Sequence, residues 1–277
     1  MISELNQEEF YMCNHLILPE SHMEVKAIIE GTNPGRIFVD NTEFPTSGLI
    51  WLGNNDGFFF VGDEKNKAFN DKINNLINTK ILPDAKRFGL NWFEGIGYHQ
   101  LWDDTIKQLF QQQKLESWKQ RVYMLEESNY TMDSEPILNR EYTILKINKE
   151  NYYNCKNTCI NLSLLKSNIL ESWSSLEHFF DKGIGYMITY KNKIVSVCLS
   201  GFVADNIHSI HIETVKEQEG KSLAQKIAHC FVKECFQKGL KPYWDCTETN
   251  YPSVAIANKL NFKMKFTYEV YGFRMRE

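Results

Sequence analysis

"VKEQEGKSLAQKIAHCFVKEC", residues 215–235, decides how the second half of this chain is read. A polar turn holding one glycine, Gly220, runs straight into a helix. On it Leu223, Ile227, Phe231 and Cys235, with Ala224, Ala228 and Cys230 beside them, make a wide apolar stripe. The first N–H groups of a helix have no partner inside it, and with the helix dipole they form an anion site. Gly220 permits close approach of a phosphate, Ala224 leaves the first turn unobstructed, and Lys221 adds a point charge. The alternative is a solvated turn ahead of a core-packing helix. The order of the surrounding elements weighs on that choice.

Upstream, YTILKI (142–147) reads as a strand and 161–180 as helical, ending before Gly183. YMITY (186–190), a turn at Lys191-Asn192 and KIVSVCLSGF (193–202) read as a hairpin, and IHSIHIETV (207–215) as a third strand. Downstream come a buried strand KPYWDC (241–246), a short helix SVAIANKL (253–260), and one or two closing strands in FKMKFTYEVYGF (262–273). This order makes the second half α+β: a mixed, mostly antiparallel sheet flanked by helices, with one parallel step across the long helix. Such a crossover is right-handed, and ligands bind beyond the carboxyl ends of strands at such steps. Gly183 and Gly185 precede a strand rather than a helix, so they read as a turn.

The first half reads as a smaller α/β domain. GRIFVD (35–40), GLIWLG (48–53) and GFFFVG (57–62) are strand-like, with NNDG (54–57) a hairpin signal between the last two. Asp63 is the expected N-cap of a helix presenting Phe69, Ile73, Leu76 and Ile77; a second helix is expected near 99–112, and a strand at RVYMLE (121–126). The WF (92–93) and WDD (102–104) motifs read as core and capping residues. The polar, aperiodic stretch 126–141 places domains at 1–130 and 140–277.

The 277 residues, 43% hydrophobic and 13% aromatic, supply a core for a domain or two. A formal charge of -4 with no basic run argues against a nucleic-acid surface and leaves room for a neutral or cationic small substrate. No apolar run reaches the ~18 residues of a membrane span, and the acidic start MISELNQEEFYMC does not resemble a secretory signal. The seven cysteines lack CxxC pairs, which fits buried thiols in a reduced cytoplasm and no metal site.

Three stretches then resemble the GNAT superfamily of acyl-CoA-dependent N-acyltransferases, in particular a bacterial GNAT acetyltransferase family carrying an additional N-terminal half. "HIETVKEQEGKSLAQKIA" (211–228) is similar to its strand, acidic turn and Arg-Gly-Lys-Gly-Leu-Ala helix start. "PYWDCTETNYPSVAIANKLNF" (242–262) is similar to its Trp-Asp strand, Asn, Ser and Leu-Ala-x-Lys-Leu-Gly-Phe ending. "GRIFVDNTEFPTSGLIW" and "GFFFVGD" resemble its N-terminal part, so the likeness spans most of the chain.

The resemblance implies an N-acetyltransferase that moves the acetyl group of acetyl-CoA directly to a primary amine on a small molecule or peptide. It implies a monomer or homodimer without metal, membrane or nucleic acid. Gly220, Lys221, Ser222, Leu223 and Ala224 would offer N–H groups to the cofactor pyrophosphate, with Glu219 leading into them. Thr214 and Val215 would lie where the third strand splays from the fifth, pantetheine adding there like a strand, and an N–H near Val215 would serve the oxyanion. Asn250 and Ser253 would sit at the next helix start. Glu213 is the implied base, and His211, on the same face by alternation, is a second candidate.

Departures from the pattern matter. Glu219 stands where Arg or Gln is usual, Ser222 where glycine is, and Asn261 where glycine precedes Phe262; asparagine tolerates a positive φ. Ala257 stands where many members place a tyrosine acid, leaving Tyr268 and Tyr271 as candidates that alternatively pack in the closing strand. These departures motivate a competing reading, a catalytically degenerate binding or sensor protein. A hydrolase using Cys246 with His211 is a third. The N-terminal half reads, from strand order alone, as a diverged relative of the C-terminal half that covers the acceptor cleft.

Overall fold

The computed structural model describes residues 1–18, 22–53 and 55–275. Its contacts divide the chain into two units, Met1–Gln120 completed by the chain from Thr267 onward, and Arg121–Phe266. The expected boundary at 126–141 lies inside the second unit, because that stretch is fastened to a helix. Glu135 pairs with Lys226 (2.7 Å) and Lys233 (2.5 Å), and Tyr130 Oη contacts His229 Nδ1 at 2.9 Å.

Along the first unit run β1 (Ser3–Glu4), α1 (Met23–Ile29), β2 (Arg36–Val39), β3 (Ser47–Trp51), β4 (Gly57–Gly62), α2 (Lys67–Leu76), α3 (Leu82–Arg87), β5 (Trp92–Gly97) and α4 (Trp102–Leu109). β6 (Glu116–Met124) then leads into the second unit. β3 and β4 pair antiparallel, as expected, although Asn54 of the hairpin signal lies outside the described residues, and β2 adds antiparallel to β3. β5 pairs parallel with β4 from Gly57↔Glu94 to Phe60↔Gly97. Phe58 stacks on Phe93 (4.4 Å between centroids) and Phe93 on Phe273 (5.0 Å), so aromatic burial pins the chain's last strand against β5.

Two expectations change here. Asn66, not Asp63, caps α2, its side chain accepting from Phe69 N at 3.1 Å; Asp63 turns instead to Lys65 N. Phe69, Ile73, Leu76 and Ile77 are buried as expected. The α4 start has no side-chain cap: Trp102 and Phe93 are core, while Asp103 and Asp104 sit in the first turn, where a helix dipole favours carboxylates.

The second unit runs β7 (Tyr142–Lys146), α5 (Lys149–Thr158), α6 (Leu162–Ser172), α7 (Leu176–Lys182), β8 (Gly185–Tyr190), β9 (Lys193–Ala204), β10 (Ile207–Thr214), α8 (Leu223–Gln237), β11 (Lys241–Thr247) and α9 (Tyr251–Lys259); β12 (Lys263–Arg274) follows and belongs to the first unit from Thr267 onward. Lys191 (φ 48°) and Asn192 (φ 60°) both take the left-handed region that a two-residue hairpin turn requires. The helical stretch at 161–180 breaks into α6 and α7. Trp173 is extended and donates Nε1–H to Ser200 O (2.7 Å), and Ser175 caps the new start. A Cβ at Gly183 would meet the Phe179 ring at 2.5 Å, which is why the turn into β8 takes glycine.

In the second unit the sheet order is β7-β8-β9-β10-β11, antiparallel until the parallel step from β10 to β11. α8 is the crossover, and its buried Leu223, Ile227, Phe231 and Cys235 pack on Ile188, Val195 and Cys198 of β8 and β9. The fold is therefore α+β with mostly antiparallel sheet and flanking helices. Each unit carries three antiparallel strands, a helical crossover and a parallel strand. That repeat is visible in topology and not in sequence.

Candidate active site

β10 pairs with β9 along its whole length, from Ile207↔Ala204 to Thr214↔Ser196. With β11 it pairs only at Ile207↔Lys241, His208↔Pro242 and Ser209↔Tyr243. Beyond Ser209 the two strands part, and the parting opens a cleft of about 610 Å³ within the second unit. Thr214, Glu219, Gly220, Ser222, Leu223, Ala224, Asn250 and Ser253 all line it, so eight of the sequence-predicted positions converge. Ile212, Gln225, Ile256 and Lys259 line it too. Sequence reasoning gave these four no role, although they lie within the stretches 211–228 and 242–262 that carry the resemblance.

Val215 and Lys221 are not among the lining residues. Val215 N donates to Val195 O at 2.9 Å, so this amide belongs to the ladder with β9 and cannot serve the gap. N–H groups alternate along an antiparallel strand. It is therefore Ile212 and Thr214 whose amides face the side that β11 has left. Lys221 Nζ donates to Gln218 Oε1 (2.7 Å), tying the ammonium back to its own turn.

Backbone geometry shapes the mouth of the cleft. Gly220 has φ +74°, and Ser222, the N-cap residue of α8, is left-handed at φ 61° and ψ 17°. No side chain caps this helix. The first bond into its backbone is Lys226 N to Ser222 O (3.0 Å), so the amides of Leu223, Ala224 and Gln225 are left without intrahelical partners. These donors, with no cap competing for them, fit a diphosphate. Glu219 stands on the same wall and opposes one. Asn250 caps α9 by accepting from Ser253 N (3.2 Å), and Ser253 Oγ accepts from Trp244 Nε1 (2.9 Å).

On the other face of β10, His211 and Glu213 meet one side chain. Asn168 of α6 donates Nδ2–H to Glu213 Oε2 (2.8 Å), and its Oδ1 contacts His211 Nε2 at 2.5 Å. Alternation predicts that His211 and Glu213 share a face and that His208 takes the opposite one; His208 is buried there against Ser200 Oγ (2.8 Å). Burial pulls its pKa down to about 4. Asn168 was not anticipated, because nothing in a helix sequence announces a partner more than forty residues away.

The acid candidates fall elsewhere. Tyr268 belongs to the first unit and packs edge-on against His22, with centroids 4.6 Å apart. Tyr271 is core of that unit. Neither lines the cleft. Ala257 is fully buried beside Trp244 and Leu260, and Asn261 takes the positive φ, +64°, expected of it. Cys246 is buried and its thiol pKa is raised, chiefly by burial, while His211 is bonded to Asn168 instead. A thiolate nucleophile with a histidine base is therefore not built here. Among the described residues no His, Cys, Asp and Glu cluster could hold a metal ion, and no helix is long and apolar enough to cross a membrane.

The second unit thus joins a parallel step that opens after Ser209 to a helix start without a side-chain cap. The family model described as GNAT acetyltransferase matches residues 14–271, and the chain belongs to that family. It is 27% identical over 248 residues to the uncharacterized N-acetyltransferase YdfB of Bacillus subtilis, covering 89% of this chain and 88% of that protein. A GCN5-related N-acetyltransferase-like protein from Streptococcus suis has the same fold, with TM-score 0.72 and 21% identity over 96% of this chain and 99% of the other. A tandem GNAT protein from the clavulanic acid biosynthesis pathway matches at TM-score 0.60 and 8% identity, covering 100% and 99%.

Proposed function

We propose that this chain transfers an acetyl group from acetyl-CoA to a primary amine of a small molecule or peptide end, by direct attack of the amine on the thioester. The observation that carries this reading is the loss of β10–β11 pairing after Ser209↔Tyr243, which opens the cleft onto the uncapped start of α8. The amides of Leu223, Ala224 and Gln225 hold the pyrophosphate. The unpaired edge of β10 receives the extended pantetheine arm. The amide of Thr214 or Ile212 donates to the developing oxyanion, in place of the Val215 amide expected from sequence. Glu213 and His211 are the candidate proton acceptors for an ammonium substrate. No acid is assigned, since Tyr268 packs on His22.

A binding protein without turnover draws support from Glu219 on the cleft wall and Ala257 in the core. Calorimetric titration with acetyl-CoA, with CoA as control, followed by thiol release in the presence of primary amines, separates the readings. Binding with amine-dependent release supports the transferase. Binding without release from any amine supports the sensor. No heat and no thermal stabilisation at millimolar acetyl-CoA overturns both.

A further inference from the structure

We propose that Asn168 is a positioning residue that locks His211 with its proton on Nε2, leaving Nδ1 as the proton acceptor on the face of β10 that also carries Glu213. The proposal rests on the transferase reading for its chemistry, but its structural core stands apart from it.

The side-chain amide of Asn168 makes three contacts, and they fix which way round it sits. Nδ2 lies 2.9 Å from Leu164 O and 2.8 Å from Glu213 Oε2. The Leu164 carbonyl can only accept, so it requires the N–H group and fixes Nδ2 on this side, where its second hydrogen is donated to Glu213 Oε2. Both hydrogens of Nδ2 are thereby used. With the amide reversed, two acceptors would confront its oxygen. Oδ1 is therefore the atom that faces His211 Nε2, at 2.5 Å, and an amide oxygen can only accept. In the neutral ring Nε2 must carry the proton, and Nδ1 keeps its lone pair. Among the described residues Nδ1 takes no hydrogen bond.

The placement suits the role. Asn168 is buried at 6% exposure within α6, held by its own helix through Leu164 O. His211 is half-buried and Glu213 exposed on the free end of β10, where that strand has left β11. Glu213 is the charged group that reaches the ring's neighbour from β10, and α6 presents the neutral Asn168. A carboxylate there attracts a cationic amine, while a neutral imidazole accepts its proton. His211 Nδ1 takes one proton from R–NH3+, and the freed nitrogen pair forms the C–N bond to the acetyl carbon. The C–S bond breaks with its pair on sulfur, the second amine proton ends on that thiolate, and His211 returns its proton to solvent.

Long-range 1H–15N spectra of the full-length protein, with the His211→Gln variant assigning the signal, read the tautomer directly and need no acceptor. The expected spectrum has His211 protonated at Nε2 and bare at Nδ1, and Asn168→Ala collapses it to an exchanging mixture. A wild-type ring protonated at Nδ1, or a mixture, overturns the proposal. With acetyl-CoA and a primary amine, Asn168→Ala should lower kcat by ~10-fold or more at unchanged KM for acetyl-CoA. Asn168→Asp puts an oxygen where Nδ2 faces two acceptors, Leu164 O and Glu213 Oε2, so it should break the lock as Asn168→Ala does and displace the acid limb of the kcat profile from its wild-type position. Turnover that survives both variants with an unmoved limb sinks the proposal while leaving the transferase standing. If no amine is acetylated, the transferase reading falls and the tautomer spectrum still decides the role of Asn168.

Discussion

The amide of Val215 donates to the carbonyl of Val195 at 2.9 Å. That bond sets the phase of every amide along the free end of β10: odd-numbered residues serve β9, and Thr214 and Ile212 face the gap. A proline at each position tests this. Thr214→Pro removes no ladder bond but removes one of the two amides proposed as oxyanion donor, so if Thr214 is that donor kcat should fall by ~10²-fold in thiol release. Thr214→Val keeps the amide and loses only the hydroxyl contact with Ser196, and should stay near wild type. Val215→Pro breaks the Val195 bond and should show the lowest melting temperature of the three. Unchanged kcat in Thr214→Pro would move the donor to Ile212.

Ser222 sits at φ 61° in the slot where the family pattern has glycine. The left-handed conformation costs a residue with a Cβ ~1–2 kcal/mol, while glycine gives back ~0.4–1 kcal/mol through unfolded-state entropy. Ser222→Gly should therefore melt at or a degree or two above wild type, and Ser222→Val clearly below it. The reverse order would mean that Ser222 holds its conformation by an interaction other than backbone geometry.

Glu219 lines the cleft that receives the diphosphate in this reading. At ~6 Å and an effective dielectric near 20, like charges repel by ~1–3 kcal/mol. Glu219→Gln should tighten acetyl-CoA by ~10-fold and Glu219→Arg by more, as measured by calorimetry. The gain should shrink as salt rises toward 0.5 M, since exposed charges are screened. Equal affinities at low salt would show that the carboxylate turns away from the phosphates.

Much of the second unit was legible because its signals are local. Runs rich in β-branched residues mark β8, β9 and β10, Lys191-Asn192 marks the turn between β8 and β9, and an apolar stripe marks α8. α5 escaped because only Tyr152 and Cys155 are buried along it, too few to show a period. β5 escaped because Gly95 and Gly97 break its pattern, though a Cβ at Gly97 would lie 2.6 Å from Trp102. The cleft lining followed from the motif around Gly220. Asn168 did not, since its partners are joined only by the packing of α6 on the sheet. Nor did the phase of the β10 amides, which depends on register rather than composition.

Burial of two titratable groups gives stability opposing pH dependences. Glu94 on β5 is pushed up to about 7, first by burial and then by the charge of Asp56. Between ~4.5 and ~7 the folded chain then holds a proton that the unfolded chain has released, so this carboxyl makes stability fall as pH rises. His208 works in the other direction. Its folded pKa of about 4 lies below the ordinary ~6.5, so the unfolded chain binds the extra proton between those values and stability rises with pH. Urea unfolding from pH 4 to 8 should show Glu94→Gln gaining on wild type toward pH 8, with the gain absent at pH 4. His208→Gln should lose the rising limb between pH 4 and 6.5 while lowering stability at pH 8 through its lost bond to Ser200. A Glu94→Gln curve parallel to wild type would show that the carboxyl reaches water and titrates as an ordinary one.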